Sequence, residues 1–379
     1  MEKQKEKNFI KRLWALCPLA HGAALVSAAL ILLHLVTRHN APLMRKISAN
    51  LVRPLHGALS RLTGLVRFSV AELVITVFVG GVLAYIVFQL IGLRRKEGRG
   101  KRVYRALMSI VSALLTVYCG YTLLWGVYYY GDDFVQRSGF EKEKISLEQL
   151  ETVTLYFAAM SNEYALSVER DESGAYIADK RELLDKSPEV YRNVEKLYPC
   201  LEGAPIRAKG LWSSKLLSYM DFTGFFFPFT AEANLNIDFP PSMLPSTVAH
   251  ELAHQRGVAK EQEANFVAVL SSLEYGDAEY CYSACLLAYT HLGNALYSVD
   301  YDRFAAVYRG LSPYVLRDFE VNREYWKKFE TPVQTVSTEI YDSFLKSYDQ
   351  ELGMKSYGAC VDLLVNYYYD EALAYFGLE

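Results

Sequence analysis

His250-Glu251-Leu252-Ala253-His254-Gln255-Arg256-Gly257, followed closely by Glu261-Gln262-Glu263-Ala264-Asn265-Phe266, is the stretch around which this 379-residue chain is read. Two histidines four apart lie on successive turns of one helix face, where both imidazoles can reach one metal ion. A glutamate directly after the first histidine then stands beside the remaining coordination position. Pro240, Pro241 and Pro245 close the preceding segment, Ser246 or Thr247 can cap the helix, and Gly257 supplies a left-handed stop.

A catalytic zinc wants three protein ligands and one open position. Beyond residue 130 the histidines are only His250, His254 and His291, so a carboxylate is expected as the third ligand. Glu261 is favoured, with Glu263 as the alternate, because Asn265 one turn after Glu261 can orient a liganding side chain. Glu263 shares its face with Phe266, Val267 and Leu270, which suggests burial. Glu251 is the expected general base, taking a proton from the attacking water and delivering it to the leaving amine. Spacing does not select the group that stabilises the oxyanion; His291, Tyr282, Tyr289 and Arg256 are the candidates.

Upstream of the motif, residues 206–237 are rich in Phe, Tyr and Thr and punctuated by Gly210, Gly224 and Pro228, which predicts a small sheet. Thr230 to Ile237 alternates polar and apolar residues, and Asn234 to Ile237, with the Asn234 and Asn236 side chains, is expected to pair with an extended substrate along an exposed edge. Ser146-Leu147-Glu148-Gln149 has the capping-box arrangement and predicts a helix from 147 to about 170. Residues 179–198 predict one or two helices, the second starting at Ser187-Pro188. Helical spacing recurs near 278–298, 301–309, 313–328, 333–352 and 357–376.

The first third differs in composition. Residues 1–130 hold 18 of the 40 Lys and Arg but only Glu2, Glu6, Glu72 and Glu97 of the 43 acids, and the remainder carries 22 basic against 39 acidic residues. This split predicts a basic, membrane-associated front and an acidic, water-exposed back, and excludes nucleic acid as the partner of the back. Apolar runs at about 14–36, 68–93 and 106–130 are long enough to span a bilayer, and Tyr128-Tyr129-Tyr130 resembles an interfacial belt. Residues 37–67, with Arg38, Arg45, Lys46, Arg53, Arg61 and Arg67 among Leu and Val, suggest an interfacial amphipathic segment. The amino terminus and the 94–105 loop hold 12 basic residues against six in the 37–67 segment, which predicts an inside amino terminus and an extracytoplasmic 131–379 domain. Six cysteines, Cys17, Cys119, Cys200, Cys281, Cys285 and Cys360, form no ligand-spaced or disulfide pattern.

At the central motif the sequence resembles zincin peptidases of the glutamate-ligand branch, with Glu261-x-x-Ala264-Asn265 similar to their third-ligand element. Across most of the chain, and most closely over Gly224 to Phe229, Thr230 to Asn236 and His250 to Phe266, it resembles an uncharacterised bacterial family of membrane-anchored zincin-like domains of unknown function. The interval from His254 to Glu261 is shorter than in the best-known glutamate zincins, and a metzincin third histidine would fall at Lys260. The resemblance implies an α-helical membrane anchor (1–130) plus an α+β zincin-like domain (131–379), mainly helical with a small sheet. It also implies one Zn2+, a peptide or protein substrate and a multi-pass place in the cell membrane. A membrane sensor or transducer and an inactive zincin-like binding module are the competing expectations.

Overall fold

A computed structural model describes residues 11–94, 98–348 and 360–378. Arg95 and Lys96 of the expected basic loop, and the adjoining ends of the last two expected helices, lie outside those residues. The fold is mainly helical with one three-stranded sheet. By contacts it divides into two compact units, Met1–Val52 with Val70–Gly131, and Arg53–Ser69 with Asp132–Glu379.

Among the described residues of the first unit three helices, Pro18–Thr37, Val70–Gly92 and Arg99–Leu124, are long and apolar enough to cross a membrane. At 1.5 Å per residue the shortest, of 20 residues, extends about 30 Å, the thickness of a bilayer's hydrocarbon core. Pro18–Thr37 packs on Arg99–Leu124 through His21 Nε2 and the Tyr104 hydroxyl at 2.7 Å and through Ser27 and Thr116 at 3.3 Å. The third helix starts before the expected residue 106 and takes in Lys101, Arg102 and Arg105, whose long aliphatic stems suit a helix end. It stops at Leu124, and Gly126–Tyr130 forms a 3-10 turn rather than the expected final helical turn.

The second unit is built around the helix Ala278–Val299, which packs against Leu147–Tyr164, the motif helices and Cys360–Phe376. The capping box at Ser146 forms, with Gln149 N–H donating to Ser146 Oγ at 3.1 Å and Ser146 N–H to Gln149 Oε1 at 2.8 Å. That helix ends at Tyr164 rather than near 170 because Arg170 turns back, donating to Ala165 O at 2.8 Å and to the buried Asp318 at 3.0 Å. Asp318 also receives Tyr176 N–H at 2.7 Å and the Tyr282 hydroxyl, so one carboxylate fastens three segments. Residues 179–198 form helix Lys180–Lys186, a 3-10 turn from Ser187 and the short helix Val194–Leu197. All six cysteines are free, and Cys281 and Cys285 are packing residues in the core.

The sheet has the order β1-β3-β2, with β1 Lys209–Gly210 parallel and β2 Gly224–Phe227 antiparallel to β3 Glu232–Leu235. Residues 53–69, which the sequence placed with the membrane segment, belong to this unit because they bond to the sheet. Thr63 Oγ1 donates to Thr230 O at 3.2 Å, Ser69 Oγ to Asn234 Oδ1 at 2.6 Å, and the buried Lys209 ammonium to the carbonyls of Thr63 and Val66. At the other end of the segment Arg53 donates to Glu202 O at 2.6 Å.

Candidate metal centre

The motif occupies two successive helices, Leu244–Gln255 and Glu261–Tyr275. The first begins earlier than the expected Ser246 or Thr247 cap. Both hydroxyls instead bond back to Met243 O, at 3.0 and 2.8 Å, and Ser283 Oγ accepts the Ser246 N–H at 3.0 Å. A tertiary partner therefore satisfies a first-turn donor that a local cap would otherwise hold. Gly257 has φ +79°, the left-handed turn the sequence predicts. This turn brings Val258 O to 2.7 Å from His254 Nδ1, so the helix stop also orients a histidine.

Among the described residues, His250, His254 and Glu261 form the one group of three potential ligands, their atoms within 4.8 Å of one another. The imidazoles stand perpendicular with centroids 4.6 Å apart. Glu261 Oε2 lies 3.1 Å from His250 Nε2 and 3.6 Å from His254 Nε2. Asn265 Oδ1, 2.9 Å from His250 Nδ1, and Val258 O are acceptors only, so each Nδ1 is the donor and each Nε2 faces Glu261. Glu261 Oε2 is buried against the two rings. Two ring nitrogens and a carboxylate oxygen thus converge on one small volume, which a shared proton or a metal cation would satisfy. Two imidazole nitrogens and a carboxylate oxygen fit one divalent ion of the zinc type.

The protonation energetics agree. Burial works against a charged His254, but the Glu261 charge and hydrogen bond override it and raise the imidazole to about 9. Burial likewise disfavours the Glu261 carboxylate, and His254 and His250 overcome it, holding the acid well below its usual range. Without a metal, a proton is held between these groups. The Tyr341 hydroxyl donates to the other Glu261 oxygen at 2.7 Å from the helix Pro332–Ser347. Sequence reasoning missed Tyr341, and a separation of eighty positions offers no local signal for it.

Glu263 lies elsewhere. Its carboxylate accepts Phe134 N–H at 2.8 Å, and burial, then the Asp133 charge, push it up to about 7. Glu251 is 4% exposed, with Oε2 accepting no hydrogen bond and Phe226 N–H bonded to the carboxylate. Burial raises this acid and Glu261 adds to the shift, against the two histidines. A Cβ at Gly224 would meet Glu251 Cγ and Oε1 at 2.9 Å, so β2 approaches Glu251 as closely as a backbone can.

The expected substrate-pairing role of Asn234 to Ile237 is corrected. β3 is the central strand, all four of its residues are buried, and both of its edges are paired. Asn234 Nδ2 donates to Glu232 O at 2.9 Å, and Asn236 donates to Ser218 Oγ and Phe222 O at 2.9 and 3.0 Å. The alternation fails because both faces of the strand are covered. Among the oxyanion candidates, Tyr282 is bonded to Asp318, Tyr289 packs on Phe319, and Arg256 stacks on Tyr191 at 3.9 Å. His291 lies within electrostatic reach of His250, and burial, with that neighbour, lowers it to about 4.

Residues 48–365 match the family DUF3810, described as a protein of unknown function, and the chain belongs to that family. Comparison with curated proteins and with solved structures returned no match.

Proposed function

We propose that this protein is a membrane-anchored zinc metallopeptidase of the zincin type, hydrolysing peptide bonds in peptides or proteins at the outer face of the cell membrane. The observation that carries the reading is the convergence of His250 Nε2, His254 Nε2 and Glu261 Oε2, with both Nδ1–H groups spent on Asn265 and Val258. Zinc held there would polarise the scissile carbonyl and acidify water. Glu251 follows His250 and takes the proton from the attacking water. Its burial keeps it basic, and the Phe226 N–H fixes its orientation. Asn265 and Tyr341 hold His250 and Glu261 in place. β2, the outer strand beside Glu251, takes the peptide-pairing role first assigned to Asn234–Ile237. His291, neutral above pH about 4, is the candidate donor to the developing oxyanion. The outward placement of residues 131–379 rests on the distribution of Lys and Arg around the three apolar helices.

Metal analysis of the full-length protein beside its Glu251→Gln variant tests this reading. Zinc in both, with peptide cleavage by the first alone, supports it; a wild-type protein that takes up no zinc overturns it. The full chain is required because residues 53–69 bond to the sheet. Zinc in the wild type without cleavage of any peptide would favour a binding module or sensor.

A further inference from the structure

The sheet-bearing unit carries a segment whose burial is inverted. Within residues 60–69 the small polar side chains Ser60, Thr63 and Ser69 are buried, whereas Leu62, Leu65 and Phe68 are exposed, Leu65 by 80%. Thr63 and Ser69 turn inward because they bond to the sheet. The leucines and the phenylalanine are thereby directed outward. Lys209 of β1, bonded to the carbonyls of Thr63 and Val66, lays this loop beside the chain leaving β1. Two residues beyond β1, Trp212 stands 84% exposed and stacks on Phe68, with centroids 6.3 Å apart. Leu216 and Met220, on and just after the helix Ser214–Tyr219, are exposed as well.

Large exposed apolar side chains on two stretches joined by the Phe68–Trp212 stack mark a site that faces something other than water. Two further facts select the occupant. Residues 53–69 and 212–220 contain Arg53, Arg61, Arg67 and Lys215 but no Asp or Glu, and aromatic plus basic residues without acids suit an anionic headgroup layer. Chain connectivity is more restrictive. Phe68 lies two residues before Val70, the first residue of a 23-residue helix apolar enough to span a bilayer. Residues flanking such a helix lie in the interfacial layer.

We propose that Leu62, Leu65, Phe68, Trp212, Leu216 and Met220 form a bilayer seat, immersed at the headgroup–acyl boundary of the membrane that the Val70–Gly92 helix crosses. Trp212 is its aromatic anchor, and Arg61 and Lys215 reach the headgroups around it. The seat is independent of whether the His–Glu cluster holds zinc.

The test uses the full-length chain in nanodiscs containing anionic lipid, with a nitroxide placed by Trp212→Cys or Leu65→Cys, and Glu172→Cys as the water-exposed reference. The labelled parent chain gives the background from its own cysteines. Both substituted positions are exposed, so folding is not at stake. At 212 and 65, the ratio of oxygen collisions to nickel-chelate collisions should be severalfold above that at 172. A ratio equal to the reference places the patch in water and overturns the proposal. Low collision rates with both reagents would show a protein cover, such as a second copy of the chain, and would overturn it equally.

Discussion

Glu261 and Glu263 begin the same helix, are both buried, and reach two different corners of one unit. Two residues along an α-helix turn the side chain through about 200°. Glu261 therefore meets two imidazoles and a tyrosine hydroxyl, whereas Glu263 meets the backbone at Phe134 and the Lys260–Asp133 pair. Burial pushes both acids the same way, and the neighbours decide the outcome: one carboxyl is held well below its usual range and the other rises to about 7. The comparison separates the acid that joins the two histidines from the acid that joins the backbone without reference to the motif, and it yields experiments on both corners.

The largest effect is expected at Glu251, the proposed base beside the first corner. Glu251→Gln should lower peptide cleavage by about 10²- to 10⁴-fold while metal content stays at the wild-type level. Next comes Glu261→Gln, which removes the carboxylate from the His–Glu cluster. Zinc affinity measured by competition with a chelator should fall by more than the roughly 10- to 100-fold expected for loss of an outer partner. Equal zinc binding by this variant and by Glu263→Gln would end the distinction between the two acids. Asn265→Ala and Tyr341→Phe, which release His250 and one Glu261 oxygen, should each weaken zinc by roughly 10- to 100-fold.

Protons should compete with the metal at the first corner. His254 in the metal-free protein is raised from 6.5 to about 9, so zinc must displace a proton at any pH below about 9. Apparent zinc affinity should rise about tenfold per pH unit through neutrality and level off above that value. The same shift stabilises the metal-free fold fully below pH 6.5, and this contribution is lost as pH rises through about 9. The smallest effect belongs to the second corner. Protonated Glu263 favours the fold below its usual 4.5, and that advantage is lost as pH rises through about 7. Glu263→Gln should remove this slope from thermal melts and leave zinc affinity unchanged.

The residues of the motif helices were legible because their information is local. A four-residue histidine spacing and a glycine that must adopt positive φ are read within a dozen positions. The three long apolar helices and the Ser146 capping box were legible for the same reason. The reading of β3 failed because alternation predicts one wet face, and this strand has none. Which strand lies at an edge is a property of the sheet order, and the order β1-β3-β2 puts Glu232–Leu235 in the middle and Gly224–Phe227 on the outside, beside Glu251. That residues 53–69 group by contacts with 132–379 was hidden for a related reason. Their basic and leucine-rich pattern describes the outward side chains, whereas Ser60, Thr63 and Ser69 face the protein.

By itself, then, the sequence determined the mainly helical fold with its small sheet, three helices able to cross a bilayer, and a short list of chemically capable residues. Helical period, hydropathy and glycine conformation act over a few residues, and such forces are written in order along the chain. Only the tertiary structure decided that Glu261 rather than Glu263 joins the histidines, that Tyr341 arrives from eighty residues away, and that the segment 53–69 bonds to the sheet. Those choices depend on which faces are buried against which, a matter of long-range packing that no local pattern encodes.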